Sequence, residues 1–445
     1  MAFSRRETAI LLIGDFLLLF LSLLAALLLR NLEIPELRYW LINILPFIPI
    51  FVISLVVFYT AGLYEKQTRP IRRVMSMRIF GAQLANIVIA ALIFFALPLT
   101  IAPKTILVLY LVISVVAVSL WRFYRMNRER TTTARASALL IGAGRAVAEL
   151  LEEVTENDLY RIRFTSYLDT ARAGDHEVAD AVYKAVAGGV RTIVLDTRDP
   201  RVTRDLPRLY PLMTKGTTFI DFVSFYEDIF NRVPLDHVGI ERLLESLPRR
   251  RSLYDLVKRG TDLALALAGF LLAIPLIVLA ALVLSLTDGS AFIRHERIGR
   301  GGGHFRVYKL RTMLFDDHGD PELQKKNRVT LFGRLLRKTR IDELPQLWNV
   351  LKGELSFIGP RPELPKIAEV YEREIPFYHL RHLIAPGLSG WAQIHDYNVP
   401  RGAADIEKTR RKLSFDLYYL KRRSFGLDLA ITLKTLRALL SLSGT

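Results

Sequence analysis

Five apolar stretches, flanked by clusters of arginine and lysine, constrain this chain more than any other feature of its sequence. The first runs from about Thr8 to Leu29 and is interrupted only by Asp15. The second runs from about Trp40 to Leu63, the third from about Ile79 to Leu97, and the fourth from about Ile106 to Trp121. Each approaches the roughly 20 residues a helix needs to cross a bilayer. The fifth, Thr261 to Leu286, is long enough to span but carries Pro275 in its middle. Hydrophobic residues make up 51% of the 445 residues, which is high for a soluble protein and points to membrane segments. At this length, roughly three domain-sized units are expected. The first stretch reads as a retained span, because it is too long for a signal peptide and no small-residue cleavage site follows it.

Basic residues set the orientation. Arg5 and Arg6 precede the first stretch, and Lys66, Arg69, Arg72, Arg73 and Arg78 lie between the second and third. Arg122, Arg125, Arg128, Arg130 and Arg135 follow the fourth, while the other two loops are poorer in such residues. The expectation is four membrane spans, with the N-terminus and everything after Arg122 cytoplasmic. The fifth stretch has basic flanks on both sides: Lys258 and Arg259, then Arg294, Arg297 and Arg300. A mid-helix proline removes a hydrogen bond and kinks or breaks the helix. Together these predict a re-entrant hairpin over about 261–286, turning at Pro275; a kinked full span is the alternative.

Net charge is +17. Nucleic acid is one reading of such a balance. The basic residues cluster beside apolar stretches, however, and no helix-turn-helix pattern is present, so membrane lipids and an anionic phosphate substrate are the expected partners. The chain has no cysteine, which excludes disulfides, thiolate chemistry and cysteine-based zinc sites. The eight histidines are not expected to form a metal centre.

Residues from Ala136 to about Gly239 read as a soluble α/β unit with a parallel, doubly wound, Rossmann-like sheet. Ser137–Ile141 and Thr192–Leu195 are short buried strands. Gly142-Ala-Gly144-Arg-Ala-Val147 begins like a dinucleotide fingerprint, but Val147 replaces the third glycine. The candidate ribose-binding acids, Asp158 and Asp169, fit the usual spacing poorly. A structural, regulatory or oligomer-forming role is expected for this unit, and a homodimer through it or through the spans. Arg249, Arg250 and Arg251 mark the next boundary. The expected division is therefore 1–130 for the spans, 131–245 for the middle domain and 246–445 for the re-entrant helix with a compact α/β catalytic domain. Leu427 to Leu442 reads as an amphipathic helix, either lying on the membrane or packed on the core.

The chemistry is concentrated in Arg337-Lys-Thr-Arg-Ile-Asp342-Glu343-Leu-Pro345-Gln346-Leu-Trp348-Asn349-Val-Leu-Lys-Gly353. Asp342 and Glu343 are adjacent carboxylates in a basic setting. Pro345 fits the first turn of a helix, so the pair is expected at a helix start. An ionised aspartate there can attack phosphorus, and its neighbour can share Mg2+ with substrate phosphates. A plain helix cap is the bland alternative for Asp342. Downstream, Gly359-Pro360-Arg361-Pro362-Glu363 is a stiff loop that fixes the direction of Arg361, as phosphate recognition requires. Upstream, Gly299–Gly303 precedes a basic strand that carries Lys309 and Arg311, two further candidate phosphate ligands. Pro386-Gly387-Leu-Ser-Gly390-Trp391 is a second turn-rich segment, suited to lining a nucleotide or sugar site.

From Arg251 to about Thr435 these stretches resemble the bacterial sugar transferase family, the polyprenyl-phosphate hexose-1-phosphate transferases. The remainder, including Tyr226–Leu235, resembles the family's long form. The resemblance implies a UDP-sugar donor, an undecaprenyl phosphate acceptor, Mg2+ as cofactor, and a re-entrant membrane helix at Pro275. It implies that Asp342 is the nucleophile and becomes a phosphosugar-aspartate, with Glu343 helping to bind Mg2+. Arg337 would contact substrate phosphate, and Arg361 the nucleotide side of the site. Arg340, Leu355 and Ser389 depart from the family's more common residues, and Arg340 leaves the sugar open. Two rival readings remain. A nucleotide-sugar oxidoreductase would need a Tyr-x-x-x-Lys dyad, and neither Tyr160 nor Tyr167 has that lysine. A non-catalytic scaffold would tolerate loss of Asp342 or Glu343, and both are present.

Overall fold

The computed structural model describes residues 3–32, 36–64, 72–96, 104–131, 135–157, 160, 162–174, 176–239, 241, 243, 252–288, 290–313, 328–395 and 405–440. Lys66, Arg69, Asp158 and the expected boundary at Arg249–Arg251 lie outside them. The chain forms two compact units, Met1–Phe225 and Tyr226–Thr445.

The first unit begins with helices α1 (Phe3–Asn31), α2 (Leu37–Ile44), α3 (Ile48–Thr60), α4 (Arg72–Ala96) and α5 (Lys104–Thr131). Two of them contain stretches long and apolar enough to cross a membrane, Ala9–Asn31 in α1 and Thr105–Tyr124 in α5. The expected second span is divided. Its residues form α2, a 3-10 turn over Leu45–Phe47, and then α3. Pro46 and Pro49 explain the division, because proline lacks an N–H and fits only the first turn of a helix. The apolar helices Leu45–Thr60 and Ile79–Ile93 are the shorter ones. α1 packs along α5, with Leu19, Leu23 and Leu27 buried among Phe47, Phe51 and Tyr110.

Asp15, the one acid within the first apolar stretch, is wholly buried. Arg122 reaches it as an ion pair, and the Tyr64 hydroxyl donates to its Oδ2 at 2.6 Å. Arg122 also donates to the Leu63 carbonyl at 2.8 Å. A buried carboxylate is tolerated only with such partners.

The same unit holds a four-stranded sheet in the order β2-β1-β3-β4, with β1 (Ala136–Gly142), β2 (Ile162–Asp169), β3 (Thr192–Leu195) and β4 (Thr218–Asp221) all parallel. Four helices connect or follow these strands: α6 (Arg145–Glu156), α7 (Glu177–Ala187), α8 (Pro200–Thr214) and α9 (Phe222–Phe230). Leu139 and Ile141 pack under α7 and α8. Ala138 and Leu140 point the other way and are equally buried, so both faces are covered. Gly144 takes φ 97° where the chain turns into α6, and Val147 packs against Gly142 where a third glycine would open the turn. Asp169 ends β2 and accepts from the Ala171 amide at 3.0 Å.

The second unit is built on α10 (Ser252–Asp288), which contains the third stretch long and apolar enough to cross a membrane, Leu253–Leu286. The break expected at Pro275 is absent: α10 is one helix of 37 residues running through it. The proline removes only one hydrogen bond, and packing on either side holds the helix together. Ala266, Ala273, Ile277, Ala280 and Leu284 form a stripe of helical period buried against the rest of the unit. Pro275 lies off that stripe, exposed, among Leu267, Leu271, Leu272, Leu276, Val278, Leu279 and Leu282.

An antiparallel hairpin follows, β5 (Phe292–Ile298) with β6 (His304–Leu310), turned by Gly301 and Gly302 in left-handed conformations. Next come α11 (Leu331–Thr339), α12 (Leu347–Lys352) and the strand β7 (Ser356–Ile358). α13 (Pro365–Glu374) precedes β8 (Gly387–Ser389), which pairs in parallel with β7. Helices α14 (Trp391–His395), α15 (Ile406–Arg422) and α16 (Phe425–Leu440) complete the unit. Over its described residues α16 packs on the core, with Ile431 buried and Thr435 Oγ1 2.6 Å from Ser389 Oγ.

Candidate active site

Asp342 and Glu343 lie on a 3-10 turn, Ile341–Gln346, between α11 and α12. Pro345 sits within that turn, just ahead of α12. The turn is placed from both sides. α11 starts at Thr330, whose Oγ1 accepts from the Gly333 amide at 2.9 Å. Gly333 crosses directly over Thr312, where a Cβ would meet the Thr312 carbonyl oxygen at 2.1 Å. α11 ends at Arg340, left-handed at φ 60°, which returns its guanidinium to within 3.9 Å of Glu343. On the other side, Arg259 of α10 donates to the Val350 and Leu351 carbonyls at 2.6 and 2.8 Å, satisfying the free end of α12. The buried Asn349 joins α12 to β6, accepting from the Tyr308 amide at 3.2 Å and donating to the Arg306 carbonyl at 2.7 Å.

β6 thereby delivers Lys309 to the pair, with its Nζ 2.8 Å from Glu343 Oε1. Arg337 stands nearby with its Nε on Thr312 Oγ1 at 2.8 Å. The expected ligands Lys309, Arg337 and Arg361 thus act on one dyad, joined by Arg340. Arg311 is buried at the end of β6, its amide bonded to the Ala291 carbonyl at 2.9 Å. Pro275 stays on the outer face of α10, away from this group.

The two carboxylates are driven apart. Burial, then the adjacent Glu343 charge, pushes the Asp342 carboxyl up to about 6 against the pull of Lys309, Arg337 and Arg340. Burial would also raise Glu343, but Lys309, Arg361 and Arg340 hold it down at about 2. Asp342 is only 8% exposed. Its Oδ1 is buried with no hydrogen-bond partner among the described residues. A helix cap would use that oxygen on a backbone N–H, so capping does not account for Asp342.

Two hard oxygen donors beside a group of cations suit Mg2+, which binds through one or two carboxylates and completes its shell with phosphate and water. Among the described residues no group of three or more His, Asp or Glu side chains competes for that role. His379 and His382 do stand three apart, as metal-binding histidines often do. Burial and nearby Arg381 hold His382 down at about 4, and its ring meets Tyr378 edge-on at 5.8 Å.

The Gly359–Glu363 loop rests on the Pro386–Gly390 segment. Gly359 and Gly387 meet back to back, where a Cβ on Gly387 would lie 2.1 Å from the Gly359 nitrogen. This is why two distant turn-rich segments both carry glycine. Trp391 in the second segment donates to the Asn231 carbonyl at 2.8 Å and stacks with Tyr418, which makes it a packing residue. Sequence reasoning passed over Arg259, Asn349, Arg381 and Asp416. The one signal for Asp416 is a lone acid inside Leu413–Leu420, a largely apolar run of α15.

A family model described as bacterial sugar transferase matches residues 253–442. A UDP-N-acetylgalactosamine-undecaprenyl-phosphate N-acetylgalactosaminephosphotransferase of Aeromonas hydrophila is 42% identical over 220 residues, covering 48% of this chain and 50% of that protein. A UDP-glucose:undecaprenyl-phosphate glucose-1-phosphate transferase of Caulobacter vibrioides is 39% identical over 198 residues, covering 44% of this chain and 73% of the relative. An Escherichia coli protein of the same name is 38% identical over 185 residues, covering 40% of this chain and 39% of the relative. The chain thus spans half the length of the Aeromonas relative and less of the E. coli one. With its catalytic-type unit matched by the family model and by nearly three quarters of the Caulobacter relative, the chain belongs to the bacterial sugar transferase family.

Proposed function

We propose that this protein transfers a hexose-1-phosphate from a UDP-sugar to undecaprenyl phosphate and releases UMP. The observation that carries the reading is Asp342 Oδ1, a buried oxygen without a hydrogen-bond partner among the described residues, in a setting of four cations. In the first half-reaction an Asp342 oxygen attacks the phosphorus bonded to the sugar. The bond from that phosphorus to the bridging oxygen breaks, and UMP departs with the oxygen and the electron pair. In the second, an oxygen of the lipid phosphate attacks the same phosphorus and the Asp342 carboxylate leaves. Lys309, Arg337, Arg340 and Arg361 offset the charge gathering on the equatorial oxygens. Asp342 and Glu343 would hold Mg2+ with the donor's phosphates, and the bound ion supplies further neutralisation of those oxygens.

The remainder of the chain is read to match. α10 meets its unit along its length and shows leucines outward, which supports an apolar face sunk into lipid with both ends on one side. An unbroken helix of 37 residues lying along one side of the bilayer is an interfacial helix, not the expected hairpin that turns at Pro275. The basic flanks support a cytoplasmic site at the inner membrane. The parallel 2-1-3-4 order supports a doubly wound middle domain of the flavodoxin-like order, in place of the 3-2-1-4 order of the dinucleotide-binding fold.

The test is UMP release by the full-length protein in detergent with Mg2+, undecaprenyl phosphate and a panel of UDP-sugars. The panel includes UDP-glucose and UDP-N-acetylgalactosamine, the donors named in the relatives above. Release that needs the lipid, one sugar and Asp342 supports the reading. Near-full turnover by Asp342→Asn refutes the covalent step, and no release from any donor by folded protein favours a scaffold.

A further inference from the structure

Behind the Arg361 loop lies a pair of charges that the reaction itself does not use. Arg381, on the 3-10 turn Tyr378–Leu383, and Asp416, on α15, form an ion pair at 2.8 Å with side chains 4% and 2% exposed. Two charges withdrawn from water this completely seldom repay their desolvation, so such a pair is weak evidence of a stabilising role. Its other contacts show where it acts. Arg381 donates one guanidinium nitrogen to the Arg361 backbone carbonyl at 2.9 Å and the other to the Tyr378 hydroxyl at 2.8 Å. It also lies 3.9 Å from Glu363, and β5 holds the far end of the loop through the Ile298 amide on the Glu363 carbonyl at 3.1 Å. One buried guanidinium therefore fixes the backbone from which the Arg361 side chain leaves.

We propose that the Arg381–Asp416 pair is a positioning device for Arg361: Asp416 orients Arg381, Arg381 holds the Arg361 carbonyl, and this sets the Arg361 guanidinium for the donor's phosphates. The inference deepens the transferase reading and rests on it for the identity of the ligand. Planarity is the reason for arginine here. A planar fork can lie against the carboxylate as an ion pair while donating to the carbonyl and the hydroxyl in one orientation, whereas a lysine ammonium on a flexible stem cannot span the three. Pro360 and Pro362 stiffen the loop, so an error at its carbonyl is passed to the side chain.

The experiment compares wild type, Arg381→Lys and the doubly neutral Arg381→Met/Asp416→Leu, which leaves no unpaired buried charge. All are made as full-length protein, with and without Arg361→Ala. Arg381→Lys is expected to lower kcat/KM for the UDP-sugar roughly tenfold to a hundredfold, as misplacement of a binding group does. The KM for undecaprenyl phosphate should stay within about twofold, and thermal unfolding should remain cooperative. In the Arg361→Ala background the same change is expected to cost almost nothing more, because coupled residues are not additive. Equal losses in both backgrounds, or an equal loss toward both substrates, overturns the proposal and leaves a merely structural pair. Hydrogen exchange supplies a readout that needs no activity. Amides of the 359–364 stretch should exchange faster in both variants than in wild type, with α11 and α12 unchanged, and unaltered exchange there also overturns it. If wild type releases no UMP from any donor the functional reading fails, while the exchange result still decides whether the pair holds the loop.

Discussion

Lys309 Nζ lies 2.8 Å from Glu343 Oε1, and this contact separates the duties of two adjacent carboxylates. Glu343, paired, is held down at about 2, while its buried neighbour Asp342 is pushed up to about 6. Neighbouring acids whose environments drive them apart are the pattern expected of a site with divided roles. Replacing the ammonium removes the main opposite charge from both. Lys309→Met is expected to lower kcat on the order of a hundredfold. It should also move the acidic limb of the pH–rate profile to higher pH, since Lys309 pulls Asp342 down. Steady-state UMP release between pH 5 and about 9 checks both effects, and an unmoved limb counts against this account of the pair.

Asp342 itself has opposite signs for activity and stability. Attack needs the carboxylate, so kcat/KM should fall as pH drops through about 6. The folded-state value lies above the ordinary 3.8, so the fold favours the protonated form. The stability from that preference is present below about pH 4, where both states are protonated, and is lost as pH rises through about 6. Asp342→Asn cannot ionise. It should abolish turnover yet unfold at higher temperature than wild type at pH 8, by on the order of 1–3 kcal/mol of stability. A lower Tm for the asparagine variant contradicts the burial argument.

Arg259 connects the membrane-type helix α10 to the turn that carries the dyad. Arg259→Ala removes the side-chain donor from the Leu351 carbonyl and leaves the Val350 carbonyl with the Gly353 amide alone, at a cost of about 1–3 kcal/mol. Denaturant titration in detergent is the direct measurement. Because α12 follows the dyad turn immediately, kcat is expected to fall along with stability.

The contact of Gly359 with Gly387 leaves no room for a methyl group, and the atoms that would have to yield are backbone. Gly387→Ala should therefore separate the two loops and misplace Arg361. Loss of kcat/KM well beyond that of a control Gly426→Ala, whose Cβ meets nothing within 4 Å, is the expected outcome. Equal activities would show that the loops yield at little cost.

Chelation tests the two-carboxylate metal site. Treatment with EDTA is expected to stop UMP release and added Mg2+ to restore it, whereas Asp342→Asn should remain inactive at any Mg2+ concentration. Undiminished release in EDTA would show that the arginines and Lys309 suffice.

Much of this protein was legible along the chain because the properties concerned are local. Apolar length and flanking charge mark α1, α5 and α10 as membrane-type helices without reference to any neighbour. Short apolar runs separated by glycine mark β1 and β3. Asp342 and Glu343 are conspicuous because two acids stand together among arginines. Pro275 misled for the same reason: a proline is a local signal of breakage, and only packing of Ala273 and Ile277 on Leu347 carries α10 through it. Pro46 and Pro49, two prolines three residues apart, did divide the second apolar stretch even though Phe47, Ile50 and Phe51 beside them are buried.

What the tertiary structure alone decided are relations between residues far apart in sequence. Lys309 and Glu343 are 34 residues apart, and Arg259 and Val350 are 91 apart. The Arg381 side chain meets a carbonyl 20 residues back and a carboxylate on another helix. Burial, and with it the strength of every charge–charge interaction, exists only once these segments are packed. The sequence thus determined the membrane-type helices, the sheet and the two acids; folding determined that one acid is paired and that the other keeps a buried oxygen without a partner among the described residues.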